Sequence, residues 1–262
     1  MPLFEFELDR VEDITPWGEP GRQSLSWFAL TCGVFRMRMG QHTLFRYSPE
    51  VLQHWGGERQ DADYQIAAFA RDMLGSVAAA AAPLPSLFER LAADWPLLSR
   101  LRAESGSDSA AGVAEHESYN AWRWLGERSP CTSYLTASPD LSFVRVQGDV
   151  HVHWDNRRGV VDGIPVWADQ YGMAVMPVHS FVEECRGFAD RLLGQMQLRV
   201  DDIASGMAKP QVPVDVAALR RQHETWRVEF DSYFKQYEPD IPWDQADVAI
   251  RSIATRIGAL PR

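Results

Sequence analysis

The sequence predicts an α+β fold: antiparallel β-sheet in two related hairpin-plus-helix halves, packed against helices, with a helical C-terminal segment over residues 214–262. Three observations carry this. Short alternating stretches are bounded by turn residues, as strands are. Apolar stripes at helical spacing follow them. Two segments, "LSWFALTCGVFRMRMG" at 25–40 and "LSFVRVQGDVHVHWD" at 141–155, begin alike and are each followed by a similar helix.

The elements follow in chain order. Phe4, Phe6 and Leu8 alternate with Glu5, Glu7 and Asp9, the pattern of a half-buried strand with an acidic outer face. "ITPWGEPG" is a loop. Residues 27–31 and 34–39 read as a hairpin around Cys32-Gly33, with "GQHT" as a second turn and "LFRY" as a third strand. Asp61 or Asp63 is the expected cap of a helix whose stripe is Ile66, Phe69, Ala70, Met73 and Val77. Pro83 stops it, and a second helix over 86–102 carries Pro96 as a kink or break. "AESGSDSAAGVAEHE" reads as a linker, and a helix over 117–127 follows. Strands over 141–147 and 150–154, then "VVDGIPVW" and "GMAVMPV", suggest a four-stranded antiparallel run. Ser180, with Glu183 three residues on, is the expected cap of a long helix ending near Gly206. Helices over 214–237 and 243–257 complete the chain.

The repeat has two parts. The hairpins match at an offset of about 116, and Ile66, Phe69, Met73 and Val77 match Cys185, Phe188, Leu192 and Met196 at an offset of 119. One domain over 1–262 is therefore expected, with an internal duplication of about 25–77 and 141–196. Gly75 and Gly194 sit mid-helix, where glycine is costly, so a close helix contact is expected at each.

Composition bounds the function. The chain has 262 residues, 45% of them apolar, and ten Trp, enough for a packed core. A net charge of -10 argues against nucleic acid, whose phosphates need a basic face. Three scattered cysteines without a C-x-x-C pair fit a reducing compartment, with neither disulfide framework nor thiolate zinc. The N-terminus lacks the basic start and apolar run of a secretory signal, and "SVAAAAAPLPSLF" is too short to span a bilayer. A soluble, cytoplasmic protein is expected, with no membrane partner and no cofactor.

Motifs for nucleophilic, phosphate or dinucleotide chemistry are absent: G-x-S-x-G, H-E-x-x-H, a P-loop and G-x-G-x-x-G do not occur. His151, His153 and Asp155 alternate on one strand face and form the one candidate metal set. H-x-H-x-D is similar to the metal motif of metallo-β-lactamase-like hydrolases, but Asn156 stands where a further His follows there. The competing reading places these residues on a solvent-facing strand surface. His179 and His223 have no position fixed near them. Cys185 falls on an apolar stripe and reads as core. Residues 1–20 carry six acids and one base, so Glu5, Glu7, Asp9 and Asp13 are candidate contacts for a basic partner. Trp17 and Trp243, each beside a proline, are candidate aromatic anchors.

"ITPWG", "LSWFALTCGVFRMRMG", "LFRYS", "YLTASPDLSFVRVQGDVHVHWDN", "DGIPVW" and "HSFVEECRGFADRLLGQMQLRV" together resemble an uncharacterised bacterial family of unknown function. The resemblance runs over about residues 3–205, and the family pattern carries an acidic residue where Cys32 stands. It implies no activity and no catalytic residue. In charge and expected fold class the chain is similar in character to bacterial immunity proteins. The expected function is therefore a non-enzymatic acidic protein that neutralises a toxin by direct binding. Two alternatives stand beside it: a metal-dependent hydrolase using His151, His153 and Asp155, and a structural or regulatory oligomer.

Overall fold

The computed structural model describes residues 2–105, 115–235, 237 and 240–258. Most of the expected linker, 106–114, lies outside the described residues. The architecture is α+β with antiparallel sheets and a helical C-terminal end.

The first sheet is centred on β2 (Cys32–Met39). β1 (Phe4–Leu8) lies on one side of it, while β3 (His42–Leu44) and β4 (Ala62–Gln65) share the other. The register pairs Glu5 with Arg36 and Phe6 with Phe35. α1 (Pro49–Trp55) starts on Ser48, whose side chain accepts a hydrogen bond from the Val51 amide, and it connects β3 to β4. β4 runs without a loop into α2 (Ile66–Gly75), which α3 (Val77–Ala81) continues.

The second sheet has the order β5 (Leu141–Val146), β6 (Asp149–Asp155), β9 (Tyr171–Pro177). β7 (Val160–Val161) and β8 (Ile164–Pro165) form a separate ribbon, so the expected four-stranded run is three strands plus an excursion. β9 passes directly into α7 (Val178–Ser205). The two sheets share one core through their following helices. Phe69 of α2 stacks on Phe35 at 4.0 Å and meets Phe188 of α7 at 5.8 Å, while Phe188 packs on Phe4 at 5.1 Å. Further up α7, Phe181 contacts Phe143 of β5 at 5.2 Å.

β1-β2-β4-α2 and β5-β6-β9-α7 have the same order: three antiparallel strands with the second in the middle, the last entering a helix directly. The offset of 116 lays β2 on β6. It fails one strand earlier, because residues 25–31 are not a hairpin arm. β1 occupies that place beside β2, and Ala29–Thr31 form a 3-10 turn. Trp27 is instead tied to α8 (Val216–Ser232): its amide donates to Gln222 Oε1, its indole donates to His223 Nδ1, and it stacks on Trp226 at 5.3 Å. Gly33 is accordingly a mid-strand residue opposite Leu8 rather than a turn.

A second, smaller core lies on the other side of β5. It is built from α4 (Ser86–Ala93), α5 (Trp95–Glu104), α6 (Glu115–Gly126) and α9 (Trp243–Arg256). Asp94 separates α4 from α5 and caps the latter by accepting from the Leu97 amide, which places Pro96 harmlessly in the first turn. Other expected caps are corrected. Gln65, not Asp61 or Asp63, precedes α2, and Pro177 precedes α7, leaving Ser180 inside the helix. The expected contact at Gly194 does not exist, since a Cβ there would meet nothing within 4 Å. Gly75 is the last residue of α2, where the nearest atom to a Cβ would be a Tyr233 ring carbon at 3.9 Å. Among the described residues no helix is long and apolar enough to cross a membrane.

Candidate functional site

The acidic N-terminal stretch is largely neutralised by the protein itself. Glu5 lies on the outer face of β1, with Arg36 Nε at 2.7 Å and Arg38 Nε at 2.9 Å from its two oxygens. Partial burial pushes its carboxyl up, and the two guanidiniums outweigh that and hold it below the usual range. Arg36 reaches on to Asp61 at 2.7 Å, so the face is a ladder of alternating charge. Asp9 pairs with Arg59 at 3.0 Å, and Asp13 lies 4.0 Å from Arg10. Glu7 and Glu19 are exposed without an ion pair to a described residue.

The two candidate anchors part company. Trp17 is exposed, with its ring edge-on to Phe28 at 6.0 Å. Trp243 starts α9 and packs edge-to-face on Phe88 at 4.8 Å, within the second core. That placement gives the half-buried Trp243 an apolar partner on α4 that is not its neighbour in sequence.

His151, His153 and Asp155 do share one face of β6, but they do not form a ligand set. That face is neither solvent nor a metal cavity at His153. The ring is fully buried and lies flat on Trp95 of α5, with centroids 4.0 Å apart and planes 7° apart. Asp155 is held by Arg157 through two contacts, Nε at 2.8 Å and Nη2 at 2.7 Å. Among the described residues no group of three His, Cys, Asp or Glu side chains is placed to hold a metal ion. Periodicity assigned the three residues to one face. Only the helical module decides that this face is covered. His223 is buried against Trp27.

The cysteines are free. Cys185 is buried on α7, and burial raises its thiol well above the ordinary value, which keeps it unreactive. Cys32 is half-buried within β2, where the Gln65 side-chain amide donates to its sulfur at 3.4 Å. Burial raises this thiol too.

The open surface lies elsewhere, on β9. This strand pairs only with β6, so its other edge is free among the described residues. Its sequence, YGMAVMP, contains no charge. Gly172, Ala174 and Met176 turn toward the main core. Tyr171, Met173 and Val175 point away, and they are 42%, 47% and 48% exposed. Cross-strand from Val175 is His151, half-buried, its imidazole pushed down by burial. The edge borders a groove of about 420 Å³ whose far wall is the β2–β3 turn with Met39, Gln41 and His42. His42 is fixed there by Asp169: Nδ1 lies 2.8 Å from one carboxylate oxygen, and the other accepts from the Thr43 amide at 2.9 Å. Glu184 and Arg38 supply the groove's charges. Soluble proteins usually blunt an edge strand with charge, proline or a bulge; β9 has only its terminal Pro177. The signal for this was legible: a seven-residue strand apolar on both faces. The order of strands, which leaves it at an edge, was not.

A family model described as "Family of unknown function (DUF5984)" matches residues 3–249. No curated protein and no solved structure matches the chain.

Proposed function

We propose, from the premise that the chain belongs to this family of unknown function, that it works by binding another protein along the open edge of β9. The single observation behind this is the uncharged, unpaired edge strand with Tyr171, Met173 and Val175 exposed on one face. An extended segment added there gains main-chain hydrogen bonds from the edge and apolar contacts from the exposed side chains. The partner is a different protein rather than a second copy, because two chains of net charge -10 repel each other. Its docking segment is a strand with apolar side chains on one face.

An immunity role, neutralising a toxin by direct binding in the cytoplasm, is the form of this function that best fits the acidic charge. A basic toxin suits the remaining unpaired acids, Glu7 among them, as a source of long-range attraction. The reading rests on an edge and a charge balance, with no catalytic group required.

Two lysines on the edge test it. Met173→Lys with Val175→Lys places charge where natural edge strands carry it. Both sites are exposed, so the melting temperature should stay within the small range typical of surface changes. The partner identified by co-purification from the native host with wild type should be lost with this variant. If that partner is a toxin, wild type should relieve its toxicity in co-expression and the variant should not. A partner retained by the variant sinks the edge as the binding surface. Light scattering that shows a dimer of wild type and a monomer of the variant would replace a foreign partner with self-association.

A further inference from the structure

A concavity of about 680 Å³ lies between α5 and the β6–β9 end of the second sheet. Its charge runs against that of the molecule. Four arginines and two aspartates line it, in a chain of net charge -10. Arg102 Nη1 lies 3.2 Å from both oxygens of Asp140. Arg157 is gripped by Asp155 along one edge and lies over the Tyr171 ring, with its carbon 4.4 Å from the centroid. Each aspartate thus occupies only part of a guanidinium that has five N–H donors, and it fixes the orientation of the rest. Arg158 is exposed, and its guanidinium makes neither hydrogen bond nor ion pair with a described residue.

These features are those of a site for a small oxyanion: oriented donors, a local excess of two positive charges, and a volume suited to a small molecule. We propose that this cleft binds a small dianionic ligand, a phosphate monoester or a dicarboxylate, held by Arg102, Arg157 and Arg158. The two anion chemistries share this recognition, because both match the planar fork of arginine. The Asp–Arg pairs orient two of the guanidiniums, and the Tyr171 ring under Arg157 gives a cation–π contact on one wall. This inference does not rest on edge binding by β9, although Tyr171 borders both surfaces.

Calorimetric titration of the full chain in low-salt buffer tests it, using inorganic phosphate in one arm and succinate in the other. A saturable one-site isotherm is expected in at least one arm, and the tighter arm identifies the head group. Arg158→Glu, at an exposed position that leaves the fold intact, should weaken that binding at least about tenfold, the scale of a lost charge-assisted hydrogen bond. Arg102→Gln should do likewise with an unchanged circular dichroism spectrum. Arg227→Gln, on the distant surface of α8, should leave binding unaltered. The proposal is overturned if neither anion gives a saturable isotherm, or if Arg158→Glu binds as wild type does.

Discussion

His153 is the residue at which the helical module and the second sheet meet. Burial keeps its imidazole neutral, and the nearby His151 works in the same direction; together they lower its pKa to about 3. The Ala92 backbone biases the ring toward charge, yet neither ring nitrogen reaches hydrogen-bond geometry. An unfolded chain protonates this histidine near its ordinary value, about 6.5. Its contribution to stability is therefore complete above that value and is lost as pH falls toward about 3. Acidifying from pH 7 to pH 5 should remove about 2 kcal/mol through this group alone. His153→Phe retains a ring to stack on Trp95 and cannot titrate. Urea unfolding at the two pH values should show the variant losing about 2 kcal/mol less than wild type. An equal loss in both would mean that His153 is solvated.

At the scale of elements, two glycines have opposite meanings. Gly33 lies within β2, where a Cβ would stand 2.1 Å from the Glu7 carbonyl oxygen and 2.9 Å from Leu8 Cα. Both are backbone atoms of β1, so only separation of the strands relieves the clash. Gly33→Ala should cost about 3 kcal/mol, the upper range for an overpacked site. Gly194 sits inside α7 with open space around it, and Gly194→Ala should add about 1 kcal/mol from helix propensity alone. Denaturant midpoints of the two variants, compared at constant slope, check both signs. α7 covers part of the β1 edge: Arg191 donates to the Phe4 carbonyl at 2.9 Å, and Arg199 donates beyond the strand end to the backbone carbonyls of Leu30 and Asp9. β1 also carries Glu5 and Glu7, the kind of charge that blunts an edge, whereas β9 carries none.

The whole molecule has two cores that meet at β5, where Phe143 faces one and Val144 the other. α9 supplies much of the smaller core through Ile250 and Ile253, both fully buried, each contributing about 1.5–3 kcal/mol by burial. Deleting residues 241–262 should therefore loosen α4, α5 and α6 while α2 and α7 stay protected, as read by amide hydrogen exchange. Uniform loss of protection would instead show a single cooperative unit. Local periodicity was enough to determine the α+β class, the hairpin of β5 and β6, the apolar stripes of α2 and α7 and the Phe69–Phe188 correspondence, because each depends on side chains spaced along one element. The duplication read as two hairpins failed at residues 25–31, since strand order is a long-range choice and β1, from far earlier in the chain, took that slot. The same reason governs the surfaces. Sequence could place Glu5, Asp9 and His153 on a strand face, but whether that face meets water, an arginine or Trp95 depends on elements 30 to 60 positions away. The free edge of β9 and the arginine-lined cleft were decided only when the second sheet closed on β6 and α5 folded over it, because edges and concavities belong to the packing of elements and not to any one of them.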